Sequence, residues 1–149
     1  MKIKFALIAA AAALVAATPA AANEGRAEVR GGIAWADGNE EAVAGIAVGY
    51  DFDAGSQAFF GLEGSADKVL VDGADVAWGL TARAGAKLGT GKLFATAGYT
   101  FDEFEDMPHL GAGYEHTIGR NTYVKIEYRH MFSDFADPNT VVAGLGVRF

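Results

Sequence analysis

Apolar and polar residues alternate along most of this chain, most strictly towards its C-terminal end. In the run 122–132, TYVKIEYRHMF, even positions are mostly apolar or aromatic, whereas positions 125, 127 and 129 carry long charged side chains. In the run 140–149, TVVAGLGVRF, apolar residues at odd positions alternate with glycines and an arginine. A period of two predicts β-strands whose two faces differ in polarity.

The same period predicts eight strands, at residues 28–35, 42–52, 58–65, 76–88, 93–101, 109–118, 122–132 and 140–149. Short connections are predicted at 53–57, 89–92 and 119–121, and longer acidic ones at 36–41, 67–75, 102–108 and 133–139. This alternation of connection lengths is typical of transmembrane barrels. No stretch after residue 22 is apolar for long enough to form a transmembrane helix. The predicted fold class is therefore all-β, an eight-stranded antiparallel up-and-down transmembrane β-barrel.

The positions of the glycines indicate which face of the sheet lies inside. Eleven strand glycines share the charged face, and only Gly31 and Gly64 fall on the apolar face. Glycine weakens a strand, so a solvent-exposed face gains nothing from it, whereas the narrow interior of an eight-stranded barrel needs the space. We therefore expect an interior ion-pair network; a soluble barrel or β-sandwich with the apolar face inside is the alternative. The predicted interior charges are Glu28, Arg30, Glu63, Arg83, Lys87, Glu115, Lys125, Glu127, Arg129 and Arg148.

Large aromatic residues fall near the predicted strand ends of the apolar face. Transmembrane barrels carry such residues in two girdles, one at each membrane interface. We predict an outer girdle of Trp35, Trp78, Phe101 and Phe132 and an inner girdle of Phe52, Phe60 and Phe149.

The first 22 residues have the pattern of a cleaved signal peptide. Lys2 and Lys4 precede an apolar run at 5–17, and three alanines at 20–22 provide a cleavage site. A retained transmembrane helix is the alternative, but the run is short and Pro19 interrupts it. Residues 23–149 then form one domain, with ten basic and nineteen acidic residues and no cysteine. Such a charge excludes the basic surface that nucleic-acid binding requires, so no nucleic acid is expected as a partner.

Two runs carry a resemblance to a known family. Residues 123–129, YVKIEYR, and 141–149, VVAGLGVRF, resemble the last two strands of the small eight-stranded outer-membrane barrels of Gram-negative bacteria, the porin-like and opacity-type proteins. The resemblance implies an outer-membrane location, contact with membrane lipid and lipopolysaccharide, and insertion by the barrel-assembly machinery. It also implies that Ala143, Leu145, Val147 and Phe149 form the assembly signal. We expect a structural or surface-interaction role in the envelope, with a narrow porin-like channel as the alternative. We also expect the protein to be a monomer.

Catalytic and metal-binding patterns are weak. Some outer-membrane barrels hydrolyse acyl chains of lipid A, and His130 and Ser133, with Asp134 beside them, resemble such a site. Known deacylases of this shape carry His-x-Ser, however, whereas three positions separate these two residues, so no enzyme is expected. The three histidines are dispersed, so no metal site and no cofactor are expected. The acidic loops could bind divalent cations that bridge to lipopolysaccharide.

Overall fold

The computed structural model describes residues 23–149, and almost all of them lie in or between long strands. The predicted signal peptide and its cleavage site lie outside the described residues. The eight strands of the described part are β1 (Asn23–Ala36), β2 (Asn39–Ala54), β3 (Ala58–Val69), β4 (Val76–Leu88), β5 (Gly91–Phe101), β6 (Asp106–Thr117), β7 (Thr122–Met131) and β8 (Asn139–Arg148). At 10 to 16 residues each, they are long enough to cross a bilayer, which takes about 9–11 tilted residues.

The strands close into a barrel in which each is antiparallel to its sequence neighbours and β1 pairs with β8. The closing register places Val29 opposite Leu145 and Ile33 opposite Val141. Backbone hydrogen bonds between Gly25 and Phe149, at 2.8 and 2.9 Å, continue the pairing to the last residue. Closure pairs every strand on both sides and so removes the sheet edges. The predicted fold class is confirmed.

Five strands, β1, β2, β3, β5 and β6, are longer than the sequence predicts. β4 has the predicted bounds, β7 ends one residue earlier than predicted, and β8 begins and ends one residue earlier. The prediction of a longer loop at 36–41 is wrong, because only Asp37 and Gly38 connect β1 to β2. Both residues have positive φ, 50° and 81°, as a two-residue hairpin turn of type I′ requires. The acidic residues that follow this turn belong to β2, so their polarity marks the end of the barrel and not a loop.

The two ends of the barrel differ in their connections. At the end that holds Asn23 and Phe149, called here the terminal end, the connections are residues 55–57, 89–90 and 118–121. At the opposite end, the loop end, they are the turn 37–38 and the segments 70–75, 102–105 and 132–138. The described part of the chain contains no helix long and apolar enough to cross a membrane.

The polarity of the barrel is inverted relative to a water-soluble protein. Apolar side chains such as Val29, Ile46 and Leu93 lie on the outer surface with more than half of their area exposed. Side chains such as Arg26, Glu63 and Glu115 point inward and are buried. An apolar exterior and a polar, filled interior are the arrangement that a hydrocarbon environment favours for a small barrel.

Candidate functional site

The interior of the barrel is filled by long side chains that lie against glycines. The ring of Tyr123 covers Gly146, and the ring of Phe94 covers Gly113, where a Cβ atom would have no room. The guanidinium of Arg26 lies over Gly49 in the same way, its Cζ 2.7 Å from the place of a Cβ. The glycines on the charged face therefore provide the volume that these side chains occupy.

Glu63, on β3, is the carboxylate with the most cationic neighbours in the centre of the barrel. Its oxygens accept hydrogen bonds from Nη1 of Arg26 at 2.7 Å and from Nη1 of Arg30 at 3.0 Å. Lys125 and Arg129 approach it from β7, at 3.7 and 3.8 Å. A buried carboxylate remains charged at low cost only where such partners compensate for its lost hydration. Glu63 therefore links three strands, β1, β3 and β7, through one charge.

Glu28 forms a second central group with residues of β7. Its Oε1 lies 2.5 Å from Nζ of Lys125, and its Oε2 accepts a 2.8 Å hydrogen bond from the hydroxyl of Tyr123. Lys125 also lies 3.2 Å from Glu127, which in turn pairs with Arg129 at 2.5 Å. This group connects the first strand of the barrel to the seventh.

Arg83, on β4, organises the half of the interior nearer the terminal end. Its Nε donates to Asp51 at 2.9 Å, and its Nη1 donates to Glu115 at 3.0 Å. The guanidinium also lies between the rings of Phe59 and Phe94, 5.1 and 4.8 Å from their centroids. Cation–π contact of this kind stabilises a desolvated guanidinium. Phe59, an apolar residue on the charged face, is thus part of the network.

Ion pairs also close the network towards each end. At the loop end Arg30 holds Asp67 through two hydrogen bonds, one of them 2.7 Å from Nε. At the terminal end Glu24 accepts a 2.7 Å hydrogen bond from Nζ of Lys92 and forms an ion pair with Nε of Arg148 at 3.1 Å. Arg148 also pairs with Glu115, and Lys87 pairs with Asp53 at 2.5 Å on the rim.

The interior network is electrically neutral. Counted together with the rim pair of Lys87 and Asp53, the bases are Arg26, Arg30, Arg83, Lys87, Lys92, Lys125, Arg129 and Arg148, and the equally numerous acids are Glu24, Glu28, Asp51, Asp53, Glu63, Asp67, Glu115 and Glu127. The other eleven acids of residues 23–149 all lie at the loop end: Asp37, Glu40, Glu41, Asp72, Asp75, Asp102, Glu103, Glu105, Asp106, Asp134 and Asp137. Of the two other bases, Lys68 lies at the loop end and Arg120 at the terminal end. The net negative charge of the chain is thus concentrated at one end of the barrel.

The structure brings nine of the ten sequence-predicted interior charges into contact with one another through the network, and the tenth, Lys87, pairs with Asp53 on the rim. Eight of them are buried, and Lys87 and Arg148, near the terminal end, are partly exposed. Sequence reasoning missed several members, of which Arg26, Asp51 and Lys92 are buried. They lie where the strands were predicted to begin or end, and the inward parity of each position was the signal that could have found them.

The aromatic residues of the predicted girdles lie at the two ends of the outer surface. At the loop end Trp35 contacts Tyr128, with ring centroids 6.4 Å apart, and Trp78 pairs with Phe101 in the β4–β5 register. Phe132 follows the end of β7 and contacts His130 edge-on, at 4.7 Å.

At the terminal end Phe52 stacks on Phe60 at 5.2 Å, and the ring of Phe149 lies over Gly25. Tyr128 at the loop end and Tyr50, which contacts Phe52 at 5.0 Å, were not among the predicted girdle residues. Both lie on the same outward parity as their predicted neighbours, which was the available signal.

The residues considered for catalysis have separate partners. The hydroxyl of Ser133 donates to Glu105 at 2.6 Å, and Nδ1 of His130 lies 2.8 Å from Oδ1 of Asn139. His109 lies inside the barrel, with Thr81 and Thr100 each 3.0 Å from one of its ring nitrogens. Within residues 23–149 no three His, Asp or Glu side chains are grouped as metal ligands.

A cavity of about 360 Å³ lies at the loop end, above the interior network. Its apolar lining includes Val43, Val69, Met107, Met131 and Val142. Its charged lining consists of Arg30, Asp67, Glu127 and Arg129 at the bottom and Asp75, Asp102 and Glu103 at the mouth.

At the mouth of this cavity, a hydrogen bond with Asp75 and the negative charge of that residue raise the pKa of Glu103 above its ordinary value. A second cavity, of about 320 Å³ and mostly polar, lies at the terminal end between Lys87, Lys92 and Arg148. The interior network separates the two cavities.

A closed barrel with an apolar exterior and a charged interior defines a transmembrane β-barrel protein. The family model described as outer membrane protein beta-barrel domain matches residues 6–149, and the chain belongs to this family. Its place is therefore the outer membrane. No curated protein matches the sequence.

Solved structures show the same fold. Ail, the attachment invasion locus protein of Yersinia pestis, in complex with the heparin analogue sucrose octasulfate, has a TM-score of 0.62 at 13% identity, over 86% of this chain and 99% of that one. The N-terminal β-barrel domain of Pseudomonas aeruginosa OprF has a TM-score of 0.61 at 13% identity, over 83% and 97%. Neisserial surface protein A has a TM-score of 0.59 at 12% identity, over 85% and 97%.

Proposed function

We propose that this outer-membrane barrel has a structural or surface-interaction role in the Gram-negative envelope and does not conduct ions. The observation that carries the proposal is the neutral ion-pair network, whose central side chains, among them Arg26, Glu115 and Tyr123, have no exposed area. A conducting path needs side chains that contact water along its whole length. Here the charges are used to pair with one another and with the hydroxyl of Tyr123.

We further propose that the terminal end faces the periplasm and the loop end faces outward. Transmembrane barrels of this type have short periplasmic turns and longer outer loops, and three of the four loop-end connections are four to seven residues long. Export through a cleaved leader at 1–22 and assembly by the barrel-assembly machinery are parts of the same proposal. The outward residues of β8, Ala143, Leu145 and Val147, together with Phe149, are the surface we assign to that machinery.

The loops at this end offer the surface for interaction. Phe104 and Phe135 are each 88% exposed, and Glu105 joins their loops by accepting hydrogen bonds from Ser133 and from the backbone of Asp134. Two exposed aromatic rings in an acidic setting suit a partner that is apolar and basic, or lipopolysaccharide bridged by divalent cations. The heparin analogue bound by Ail is a polyanion. An acidic loop end repels polyanions, so we do not propose the same ligand for this chain.

Conductance of the refolded barrel in a planar bilayer tests the proposal. The folded barrel, identified by a heat-dependent shift in gel mobility, should give no conductance steps. The double variant Glu63→Ser with Arg26→Ser removes one acid and one base from the centre, keeps the interior neutral and should open a water path, which makes it the positive control. Reproducible steps from the unaltered protein would overturn the proposal.

A narrow channel is the second candidate, and one observation favours it. Open space reaches the network from both ends, in cavities of about 360 and 320 Å³. A rearrangement of a few side chains in the central layer would join them. In that case the unaltered protein should give small steps whose ion selectivity changes in Glu127→Gln, whereas Asp72→Asn, in an exposed loop, should leave them unchanged.

A further inference from the structure

The wall of the loop-end cavity is lined by apolar side chains that suit an apolar ligand. Val43, Val142 and Val69 come from three strands of the barrel, and Met107 and Met131 add flexible, polarisable side chains. Its volume of about 360 Å³ lies within the range of cavities that hold small organic ligands, roughly 300–1,000 Å³. An apolar body would displace water from this wall on binding.

The floor of the cavity does not select an anion, although it contains two arginines. Arg30 is held by Asp67 and by Glu63, and Arg129 is held by Glu127 at 2.5 Å. Asp67 and Glu127 line the floor as well, so its net charge is zero. A negatively charged ligand would have to displace one of these carboxylates. The floor also separates the cavity from the rest of the interior.

The mouth of the cavity supplies the charge selection. Asp75, Asp102 and Glu103 line it, and among the described residues the loop end as a whole has eleven acids and a single base outside the interior network, Lys68. The exposed ring of Phe104, which also lines the cavity, can contact a cation through its π face. These carboxylates would attract a positive group to the mouth, while an apolar group of the same molecule packs against the apolar wall of the cavity.

We propose that the loop-end cavity binds a hydrophobic cation, a small organic molecule with an apolar body and one positively charged amine or ammonium group. The apolar body lies between the methionines and valines, and the charged group lies at the acidic mouth. The neutral floor stops the molecule there, so the site captures its ligand and does not pass it through the barrel. This is a binding activity in addition to the structural role.

Methionine methyl groups provide the assay. The full chain has three methionines, and the two in the described part, Met107 and Met131, both line the cavity. With the methionine methyls labelled with ¹³C and the barrel in lipid nanodiscs, benzyltriethylammonium should shift both signals in a saturable way. Toluenesulfonate, an aromatic anion, and tetramethylammonium, a cation without an apolar body, should shift them at least tenfold less at equal concentration. Methyl shifts of equal size with the anion would overturn the proposal. Shifts that depend on the amount of lipid and not on the concentration of the cation would also overturn it.

Charge variants with a matched control test the mouth. Two unit charges several ångströms apart in water interact by enough to change affinity about threefold, so Asp75→Asn with Glu103→Gln should weaken binding of benzyltriethylammonium roughly tenfold. The control Glu41→Gln with Asp72→Asn removes two loop-end charges that do not line the cavity and should change the affinity less than threefold. Equal effects of the two pairs would overturn the assignment of the mouth. Ala34→Phe, which fills the cavity, should abolish the shifts in a barrel that still shows the gel shift; retained binding would also overturn it.

Discussion

Replacement of Glu63 by glutamine tests whether the interior charges act as one network. The variant keeps the shape of the side chain but removes the negative charge that faces Arg26 at 2.7 Å and Arg30 at 3.0 Å. Removing one partner of a buried ion pair costs about 3–5 kcal/mol, because the remaining charges stay buried without compensation. With two further bases within 4 Å, we expect a loss of about 3–5 kcal/mol in the free energy of unfolding.

Urea titration of the barrel in lipid vesicles measures this loss through the fluorescence of Trp35 and Trp78. Asp53→Asn is the matched control, because Asp53 pairs with Lys87 on the rim, where both side chains are about 30% exposed. Exposed pairs contribute about 0–1 kcal/mol, so the control should lie close to the unaltered protein. A Glu63→Gln variant within about 1 kcal/mol of the unaltered barrel would refute the reasoning.

A double variant separates charge imbalance from lost packing. Lys125→Met alone leaves Glu28 without its 2.5 Å partner and should also destabilise the barrel. Combined with Glu63→Gln it restores equal numbers of acids and bases. The double variant should therefore cost less than the sum of the single variants, by an amount in the range of about 0.5–3 kcal/mol that is measured for coupled residues. Strict additivity would show that the two charges act independently.

Two further predictions concern space and loop electrostatics. Gly85→Ala places a methyl group 2.7 Å from the backbone Cα of Phe94, which cannot move aside, and should lower the free energy of unfolding by about 1–3 kcal/mol in the same urea titration. Gly31→Ala is the control, because Gly31 lies on the outer face with its nearest atom at 3.5 Å, and its stability should be nearly unchanged. Equal losses in the two variants would contradict the packing argument. Asp75 and Asp102 raise the pKa of Glu103, so the folded loops hold the proton of Glu103 more tightly than the unfolded chain does. The contact between Glu103 and Asp75 therefore strengthens as the pH falls through that pKa and weakens towards neutral pH. Amide hydrogen exchange of segments 70–75 and 102–105, corrected for its intrinsic pH dependence, should slow at mildly acid pH, and Glu103→Gln should remove this dependence; an unchanged dependence would contradict it.

The fold could be predicted because each strand of a membrane barrel has two chemically opposite faces. The parity of Lys125 and Glu127 in β7 was enough to place both of them inside, and β4 was predicted with its observed bounds. Strand ends were less predictable, since acidic residues such as those after Asp37 favour turns in soluble proteins. At the rim of a barrel they instead continue the strand into water.

The pairing of the interior charges could not be predicted. Parity places Arg30 inside but does not decide whether it pairs with Asp67, Glu63 or Glu127, because the register and stagger of the closed barrel determine which side chains meet. The loop-end cavity was likewise hidden from the sequence. Its wall combines residues from β2, β6 and β8, which only closure brings together.

The interior network has a consequence for the chain before it reaches the membrane. Its contacts across the barrel join residues far apart in sequence, 95 positions in the case of Tyr123 and Glu28 and 68 in the case of Lys92 and Glu24, so they cannot form until β1 has met β5 and β7. Until then the charged side chains of these strands, such as Glu28, Lys125 and Glu127, are in contact with water. The side chains that fill the finished barrel are thus the ones that keep the unfolded chain hydrated, and their charges oppose the entry of single strands into a bilayer.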